Sequence, residues 1–575
     1  LQKVGVGEAR SAGDADGRFD AFRDPPFAHV HETLHPFVPS SMQVEHLCTM
    51  SHMSFTKTSR LWWLAFVAFL GGAFLSGCKR QVWDDNPDHA LRFSTYDADG
   101  KENDTLFFDT VFATVGSLTL PLKVYNDHEG TLLIDEIELE TGLASEFRIN
   151  VNGTPLADLS SPLRDIPLLP GDSMYVFIEV TINPDLSFGD QPFWVFENLR
   201  FLTNQNEQVV TLAARGQNAI FHGDPNQLVT AVCDETWGAE LPHVIYGRML
   251  VDEGCSLTIE PGTRVYGHSE SGIWVRGGTL IAEGQLDNPI VLRGDRLDDN
   301  FRDSPGQWGL SFELTDTLAD NLVNFSIFRG GIWLDRAVNC EMNHVVLSHA
   351  TVGLWVDSVG TGAEYALNIR NSVVTMAESI GLLSQSGNIQ GYNNLFSNCG
   401  QSCGYFALGG DIQMHLSTFA NYGTFGSGLR QFPTLYINDW YESYDGAIQE
   451  RPFAEGTEFR NCIAYGNNAG LTDFSEFFPD LLDPTIYNTP LITHSAVHHQ
   501  EENFPDWILD DATTVNQAPP FADTNAEDFT LTGMSPLWKG TASSDVFDPF
   551  DVSTDLLGMD RDLFEPTKGC YERLP

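Results

Sequence analysis

A short phrase returns at regular intervals between residues 321 and 421, and it constrains the fold more than any other feature of the chain. Each copy begins with glycine and continues with large apolar residues, and the glycines are 22, 28 and 23 residues apart. A period of about 20–30 residues indicates a solenoid, in which each coil buries its inward side chains by stacking on the next. The apolar runs are too short for helical repeats. The copies are Gly331-Ile-Trp-Leu-Asp335, Gly353-Leu-Trp-Val-Asp357, Gly381-Leu-Leu-Ser-Gln385 and Gly404-Tyr-Phe-Ala-Leu408.

The repeat predicts an all-β chain whose main domain is a right-handed parallel β-helix over residues 249–528, preceded by a connector over 220–248. Two long insertions, 423–457 and 469–490, are rich in Asp, Phe, Tyr and Pro. Insertions of this length in a solenoid fold over one face and often carry function. Residues 529–575 are predicted to form a C-terminal cap, because the last coil would otherwise expose a sheet edge.

A second folded domain is predicted over residues 91–219, before the solenoid. Its apolar residues alternate over runs of five to eight positions, as in 119–125 and 174–182, and turn residues such as Asn152-Gly153 separate the runs. Short alternating strands with this spacing predict an immunoglobulin-like β-sandwich.

The segment before the sandwich has the composition of an export signal. Residues 1–52 show no apolar periodicity and are interpreted as a leader that is not part of the mature protein. Residues 53–77 contain a basic start, a short apolar run and small residues before Cys78, which describes a cleaved signal peptide. Residues 78–90 are polar and are interpreted as a tether.

Three stretches resemble known bacterial families. Leu75-Ser-Gly-Cys78 resembles a lipobox, which implies cleavage before Cys78 and lipidation of that cysteine. Val124-Tyr-Asn126 and Leu169-Pro-Gly-Asp-Ser173 resemble ASH/Hydin-type immunoglobulin-like domains, which are usually adhesive or spacing modules. Pro305-Gly-Gln-Trp-Gly309 and the solenoid lines resemble uncharacterised β-helix lipoproteins (pectin-lyase-like fold) of Bacteroidetes-type bacteria. The resemblance implies a fold and a location in the cell envelope, and brings no established activity.

Charge narrows the range of partners. The chain holds 31 Lys and Arg against 79 Asp and Glu, a formal charge of −48. Nucleic acid is therefore excluded, because phosphate binding needs a cationic surface, and anionic polysaccharides are disfavoured unless a cation bridges the charges. Cys233 with Cys255 and Cys399 with Cys403 could pair as disulfides in an oxidising envelope. Cys340 and Cys462 are expected to be buried in the strands of the solenoid.

The repeated phrase also predicts an outward row of large side chains. Side chains alternate between the two faces of a strand, so if Ile332 and Leu334 point inward, Trp333 and Asp335 point outward. Neighbouring strands lie about 4.8 Å apart, which stacks Trp333 on Trp355 of the next coil.

The expected row continues through Leu383 and Phe406, and Trp308 is a further aromatic candidate. An open row would be a stacking platform for sugar rings, with Trp333, Trp355, Phe406 and Trp308 as its binding residues. The alternative is that a loop, such as one of the long insertions, covers the row, because a monomer rarely exposes so much apolar surface.

Carboxylates accompany this row. Asp335 and Asp357 are predicted to stack about 5 Å apart, near the separation of a retaining glycosidase pair. Trp355-Val-Asp357 faintly resembles the Trp-Ile-Asp-His stretch of pectate lyases, but Ser358 replaces the histidine. No catalytic residue is carried over from that family.

A charged stretch between two predicted coils contains four aspartates. Mixed charges in such a loop usually form a solvated salt-bridge network, and the alternative is a calcium site. The candidate ligands are Asp295, Asp298, Asp299 and Asp303. No other cofactor is indicated.

The sequence thus predicts a lipid-anchored protein of the bacterial outer membrane, on its periplasmic or surface face, that binds glycan or another surface component without catalysis. One alternative is a polysaccharide lyase or glycoside hydrolase that uses Asp335 and Asp357. Another is a scaffold for an envelope protein complex.

Overall fold

The computed structural model separates the chain into two compact units, with the division at residues 218 and 219. The predicted leader, the signal peptide and Cys78 lie outside the described residues, so the anchor stays a prediction. No helix in the described part of the chain has the length and hydrophobicity needed to cross a bilayer. The described residues are 82–95, 103–112, 116–156, 161–183, 193–224, 227–298, 301–309, 311–318, 321–328, 330–423, 430–442, 447–471, 474–482, 489–500, 508–533, 535–541, 553–562 and 564–573.

The first unit is the predicted β-sandwich. Strict alternation forms its strands: Met174, Val176, Ile178 and Val180 are buried, and the residues between them are exposed. Residues 82–84 pair with Thr131, so this part of the predicted tether lies against the sandwich. One sheet contains Arg92–Phe93, Leu120–Tyr125, Ser173–Val180, Phe147–Val151 and Thr154–Pro155. The other contains Thr105–Phe112, Asn206–Gln217, Phe193–Thr203, Leu132–Leu139 and Leu163–Leu168.

The second unit is a parallel β-helix, which confirms the fold predicted from the repeat. Within the described residues three parallel sheets, named A, B and C here, contain eleven, nine and nine strands. Sheet A contains Ile220–His222, His243–Ile245, Arg264–Gly267, Ile290–Gly294, Val345–Ser348, Val373–Thr375, Leu395–Ser397, Thr418–Asn421, Ile463–Gly466, Ala496–Val497 and Thr514–Val515.

Sheets B and C complete each coil. Sheet B contains Val229–Ala231, Arg248–Asp252, Gly272–Arg276, Ile332–Asp335, Val352–Asp357, Ile380–Gln385, Ser402–Ala407, Leu435–Asn438 and Phe477–Asp480. Sheet C contains Glu235–Trp237, Ser256–Ile259, Thr279–Glu283, Cys340–Asn343, Leu367–Arg370, Asn388–Tyr392, Asp411–His415, Glu458–Arg460 and Leu491–Thr493. Three hairpins lie outside these sheets: Ser311–Leu318 with Asn321–Phe328, Trp440–Glu442 with Ile448–Glu450, and Phe521–Asp523 with Asp528–Leu531. Short 3-10 turns are Gly142–Ala144 in the sandwich, and Asn467–Gly470 and Pro536–Trp538 in the second unit.

The solenoid begins earlier than the sequence predicted. Residues 220–248, expected to be a connector, include the first coil, because Ile220–His222, Val229–Ala231 and Glu235–Trp237 each open one of the three sheets. These strands have three residues each, which is too short for alternation to be recognised in the sequence.

The C-terminal segment covers a side wall of the solenoid instead of only closing its end. The described residues 529–533, 535–541, 553–562 and 564–573, called the C-terminal strap here, contact the outer face of sheet A. Leu556 and Cys570 pack against Leu395, and Trp538 packs in a separate cluster with Ile463. The outward row of sheet A is largely apolar, so it needs such a cover. The predicted cap therefore extends over several coils, and Arg561 donates a hydrogen bond of 2.6 Å to Asn393.

One disulfide joins the first two coils. Cys233 and Cys255 are bonded and lie 22 residues apart, which is one turn of the solenoid. This confirms the first of the two predicted pairings. Cys399 and Cys403, the second candidate pair, are both free and buried.

We expect Cys233→Ser to lower the free energy of unfolding by about 3 kcal/mol, because the bond closes a loop of this size in the unfolded chain. Urea denaturation followed by tryptophan fluorescence measures the difference. A reductant should bring the wild-type chain to the stability of the variant and leave the variant unchanged. Equal midpoints for the two proteins without reductant would contradict the prediction.

Candidate functional site on the outer face of sheet B

A row of large apolar side chains runs along the outer face of sheet B. The register of the parallel strands aligns Trp274 with Trp333, Trp333 with Trp355, and Trp355 with Leu383. This register confirms the predicted stacking of Trp333 on Trp355. The aromatic row, as we call it, is Leu250, Trp274, Trp333, Trp355, Leu383, Tyr405, Tyr436 and Phe478.

The indoles at the start of the row are stacked. The ring centroids of Trp274 and Trp333 are 4.9 Å apart with planes 5° from parallel, and those of Trp333 and Trp355 are 5.6 Å apart and tilted by 31°. Such pairs contribute beyond the area that they bury. The inward neighbours Ile332 and Leu334 are fully buried in the solenoid core, as predicted.

The middle of the aromatic row is covered. Trp333 and Trp355 are each only 7% exposed, and Tyr405 is equally buried. Tyr441, from the first long insertion, packs against this cluster. The arrangement agrees with the alternative in which the row is covered, and an open platform at Trp333 and Trp355 is not present.

Two predicted binding residues belong to the solenoid core. Phe406 is fully buried and aligns with Ser384, while Tyr405 takes the place in the row. Gly404 pairs with Leu382 and not with Gly381, so the glycine has slipped by one position, and a one-residue slip moves every side chain to the other face. Trp308 is 1% exposed and also lies in the core, where its indole nitrogen donates to the Ser348 carbonyl at 2.9 Å.

A polar row lies beside the aromatic row, two residues further along each strand. It includes the predicted partners Asp335 and Asp357, which are aligned in adjacent strands. Its first half contains three carboxylates and one guanidinium group. The polar row is Asp252, Arg276, Asp335, Asp357, Gln385, Ala407, Asn438 and Asp480.

The start of the face is less covered than its middle, and Trp274 lies there. Trp274 is half-buried, and its indole nitrogen donates to Asp335 Oδ2 at 3.3 Å. The Arg276 guanidinium lies 5.0 Å from the Trp274 ring and makes two hydrogen bonds to Asp252, of 3.0 and 2.6 Å. Those bonds lower the pKa of Asp252. We call Trp274, Arg276, Asp252, Asp335, Arg336 and Asp357 the Trp274 cluster.

Arg336 supplies the second cation of the Trp274 cluster. Its Nε donates to Asp335 Oδ1 at 3.0 Å, and this bond raises the pKa of Arg336. The side chain of Arg336 is 64% exposed, whereas that of Asp335 is 13% exposed. Asp335 is therefore a carboxylate held by donors on two sides, and the cluster presents guanidinium donors and carboxylate acceptors to solvent.

Sequence reasoning missed Trp274 although a signal was present. Gly272-Ile-Trp-Val-Arg276 repeats the phrase that begins at Gly331. The hairpin of 311–328 lies between these two coils in sequence and stretches the spacing to more than twice the usual period, which hid the copy.

The predicted calcium ligands are not brought together as one site. Asp295 accepts a hydrogen bond of 2.6 Å from His268, which raises the pKa of that histidine. Arg302 Nε lies 3.6 Å from Asp303 Oδ2, and Asp299 lies outside the described residues. Among the described residues, no group of three or more Asp, Glu, His or Cys side chains is arranged to hold a metal ion.

Comparisons with known proteins identify no family for this chain. No protein-family model matches the chain, and no curated protein does. A GH87 α-1,3-glucanase catalytic unit from Streptomyces thermodiastaticus is 11% identical, with 69% of this chain and 70% of that chain covered and a TM-score of 0.20. The ASH/PapD-like domain 7 of human CEP192 is 13% identical, with 24% and 92% covered and a TM-score of 0.14.

A Porphyromonas gingivalis protein of unknown function is 9% identical, with 24% of this chain covered and a TM-score of 0.16. This chain spans about half of that protein's length, 50%. Identities and TM-scores this low support no inference about activity.

Proposed function

We propose that this chain is an envelope protein, anchored by lipid on Cys78, whose β-helix binds a polyhydroxylated ligand of the glycan class at the Trp274 cluster. The observation that supports the proposal is the partly exposed Trp274 at the start of the sheet B face. This half-buried indole lies beside two guanidinium groups, Arg276 and Arg336, that are hydrogen-bonded to carboxylates.

The chemistry of the Trp274 cluster suits sugar hydroxyls. A hydroxyl both donates and accepts, so it can bond to Asp and Arg side chains at once. Arg276 and Asp252 already hold each other in place, and side chains fixed in this way lose little entropy on binding.

The location follows from the sequence and is part of the proposal. A signal peptide over 53–77 followed by Cys78 would place the mature chain in the outer membrane, and the sandwich precedes the β-helix in the sequence. Two or more acyl chains give stable anchoring. Labelling with a radioactive fatty acid, in wild type and in Cys78→Ala, tests this part independently.

We expect Trp274→Ala and Arg276→Ala each to weaken glycan binding by about tenfold or more on a glycan array, because each removes a contact group of the cluster. Trp194→Ala is the matched control, since Trp194 is an exposed tryptophan of the sandwich. Binding that is unchanged in both cluster variants would overturn the proposed site. A loss that also occurs in Trp194→Ala would indicate a different surface.

Hydrolysis or elimination is the second candidate function. It is favoured by the alignment of Asp335 and Asp357 in adjacent strands, near the carboxyl separation of about 5–5.5 Å in retaining glycosidases. Incubation with neutral and acidic polysaccharides should then release reducing ends or unsaturated products, and Asp357→Asn should abolish the release. No product from a broad panel would exclude this candidate.

A further inference from the structure

A second aromatic–carboxylate pair lies at the far end of the sheet B face. The Tyr436 hydroxyl donates to Asp480 Oδ2 at 2.6 Å, and the Trp440 indole nitrogen donates to Asp480 Oδ1 at 3.2 Å. Tyr436 belongs to the aromatic row, and Asp480 to the polar row of the next coil. At the start of the face, Trp274 of the aromatic row likewise donates to Asp335 of the polar row in the next coil. The solenoid therefore contains this aromatic–carboxylate pair twice.

The aromatic surroundings of Asp480 are extensive. The rings of Tyr436 and Phe478 are 6.0 Å apart and 6° from parallel, and Tyr405 and Tyr436 are 4.6 Å apart. Trp440, Tyr436 and Phe478 are half-buried, so part of each ring faces solvent. The hairpin of Trp440–Glu442 and Ile448–Glu450 holds Trp440 at this end.

Two more carboxylates belong to this end. Asp439 is 4% exposed, and its Oδ1 accepts a hydrogen bond of 2.8 Å from the Leu482 amide. Burial raises the pKa of Asp439, and the charges of Glu450 and Asp480 raise it further. None of the three makes an ion pair within the part of the chain that the structure describes.

The two ends therefore differ in charge. At the Trp274 cluster, Arg276 and Arg336 pair with the aspartates. At the far end, Asp480 accepts from Tyr436 and Trp440, and Glu450 lies opposite Trp440 in the hairpin, without a cationic partner among the described residues. Carboxylates that repel one another favour a bound cation, and aromatic faces attract an ammonium group when water is displaced.

We propose that the Tyr436, Trp440, Asp439 and Asp480 side chains form a binding site for a primary ammonium group carried by an amino sugar. This inference rests on the proposed glycan function and adds the class of sugar. Asp480 accepts from the ammonium and from the sugar hydroxyls, Trp440 and Tyr436 offer ring surface, and Asp439 supplies charge from behind. A lysine side chain carries the same group, but the hydroxyls of a sugar also match the acceptors of the adjacent polar row.

The test uses the full chain and isothermal titration with three probes: a β-1,4-linked glucosamine hexamer, its fully N-acetylated counterpart and a lysine pentapeptide. We expect the glucosamine hexamer to bind at least about tenfold more tightly than the acetylated hexamer at pH 6. Asp480→Asn should remove this preference. Asp511→Asn, an exposed carboxylate of the solenoid, is the matched control for the loss of one negative charge.

The outcomes separate this inference from the proposed function. Equal binding of both hexamers, lost in Trp274→Ala, would overturn the ammonium site and leave the proposed function standing. No binding of either hexamer would overturn both for these sugars. If Asp511→Asn reduces the preference as much as Asp480→Asn does, the preference comes from the net negative charge of the chain. That result would overturn the site. Tighter binding of the lysine pentapeptide than of the glucosamine hexamer would overturn the assignment to an amino sugar.

Discussion

Replacing Glu476 with alanine is expected to lower the free energy of unfolding by about 3–5 kcal/mol, because the change leaves a buried guanidinium without its counter-ion. The Glu476 side chain is fully buried and that of Arg430 is 5% exposed. Arg430 Nη2 donates to both carboxylate oxygens of Glu476, at 2.8 and 2.7 Å. Thr434 Oγ1 and the Asn468 backbone amide donate to the same carboxylate at 2.6 and 2.9 Å. Both carboxylate oxygens of Glu476 are therefore hydrogen-bonded.

This ion pair joins the two long insertions that the sequence singled out. Arg430 and Thr434 belong to the insertion 423–457, and Glu476 belongs to the insertion 469–490. Each of the two predicted insertions also contains a strand of sheet B, Leu435–Asn438 and Phe477–Asp480. Because Trp440 and Asp480 lie on the same two segments, Glu476→Ala should also reduce binding of the glucosamine hexamer. The binding effect follows from misplacement of the insertions, since Glu476 itself is not exposed to a ligand.

Urea denaturation of the full chain measures the change in the free energy of unfolding. Two further variants test whether the effect comes from the unpaired buried charge. The double variant Arg430→Met with Glu476→Met removes both charges and should recover much of the lost stability. Glu136→Ala breaks a pair with Arg164 whose side chains are 28% and 57% exposed, and should cost less than about 1 kcal/mol. If Glu476→Ala costs no more than Glu136→Ala, the insertions do not depend on this pair.

The repeat predicted the architecture because a solenoid is specified locally. One coil needs a short apolar strand and a turn, and its neighbours supply the rest. The alignment of Trp333 with Trp355 and of Asp335 with Asp357 follows from counting residues between equivalent glycines. The same count fails at Gly404, where the strand enters the coil one position out of phase with the earlier glycines.

Exposure of the sheet B face could not be predicted in the same way. Exposure of sheet B depends on loops of the two insertions, and these loops carry no repeat. The outer face of sheet A is covered by a different segment, the C-terminal strap. Trp274 and Trp333 occupy equivalent places in two coils, yet one is half-buried and the other 7% exposed. Asp480 is an ordinary acidic residue in the sequence, and only the fold places it beside Trp440.

Trp308→Ala is expected to lower the free energy of unfolding by about 3–5 kcal/mol, through loss of buried surface and the cavity that remains. The Trp308 side chain fills space that small residues leave in the adjacent coils. A Cβ added to Gly267 would lie 2.6 Å from the Trp308 ring, and one added to Gly331 would lie 3.0 Å from it. Ala350, also fully buried, pairs with Trp308 across a backbone bridge.

The variants Trp308→Phe and Gly267→Ala distinguish packing from any role in binding. Trp308→Phe keeps most of the apolar volume but loses the hydrogen bond to Ser348, so it should cost less than Trp308→Ala. Gly267→Ala pushes against the indole and should cost about 1–3 kcal/mol without touching the outer face. Thermal and urea unfolding give the order of stabilities, and a glycan array on the folded variants should match wild type. Loss of glycan binding in a folded Trp308→Phe protein would contradict the purely structural role of Trp308. It would support the sequence prediction that this residue binds glycan.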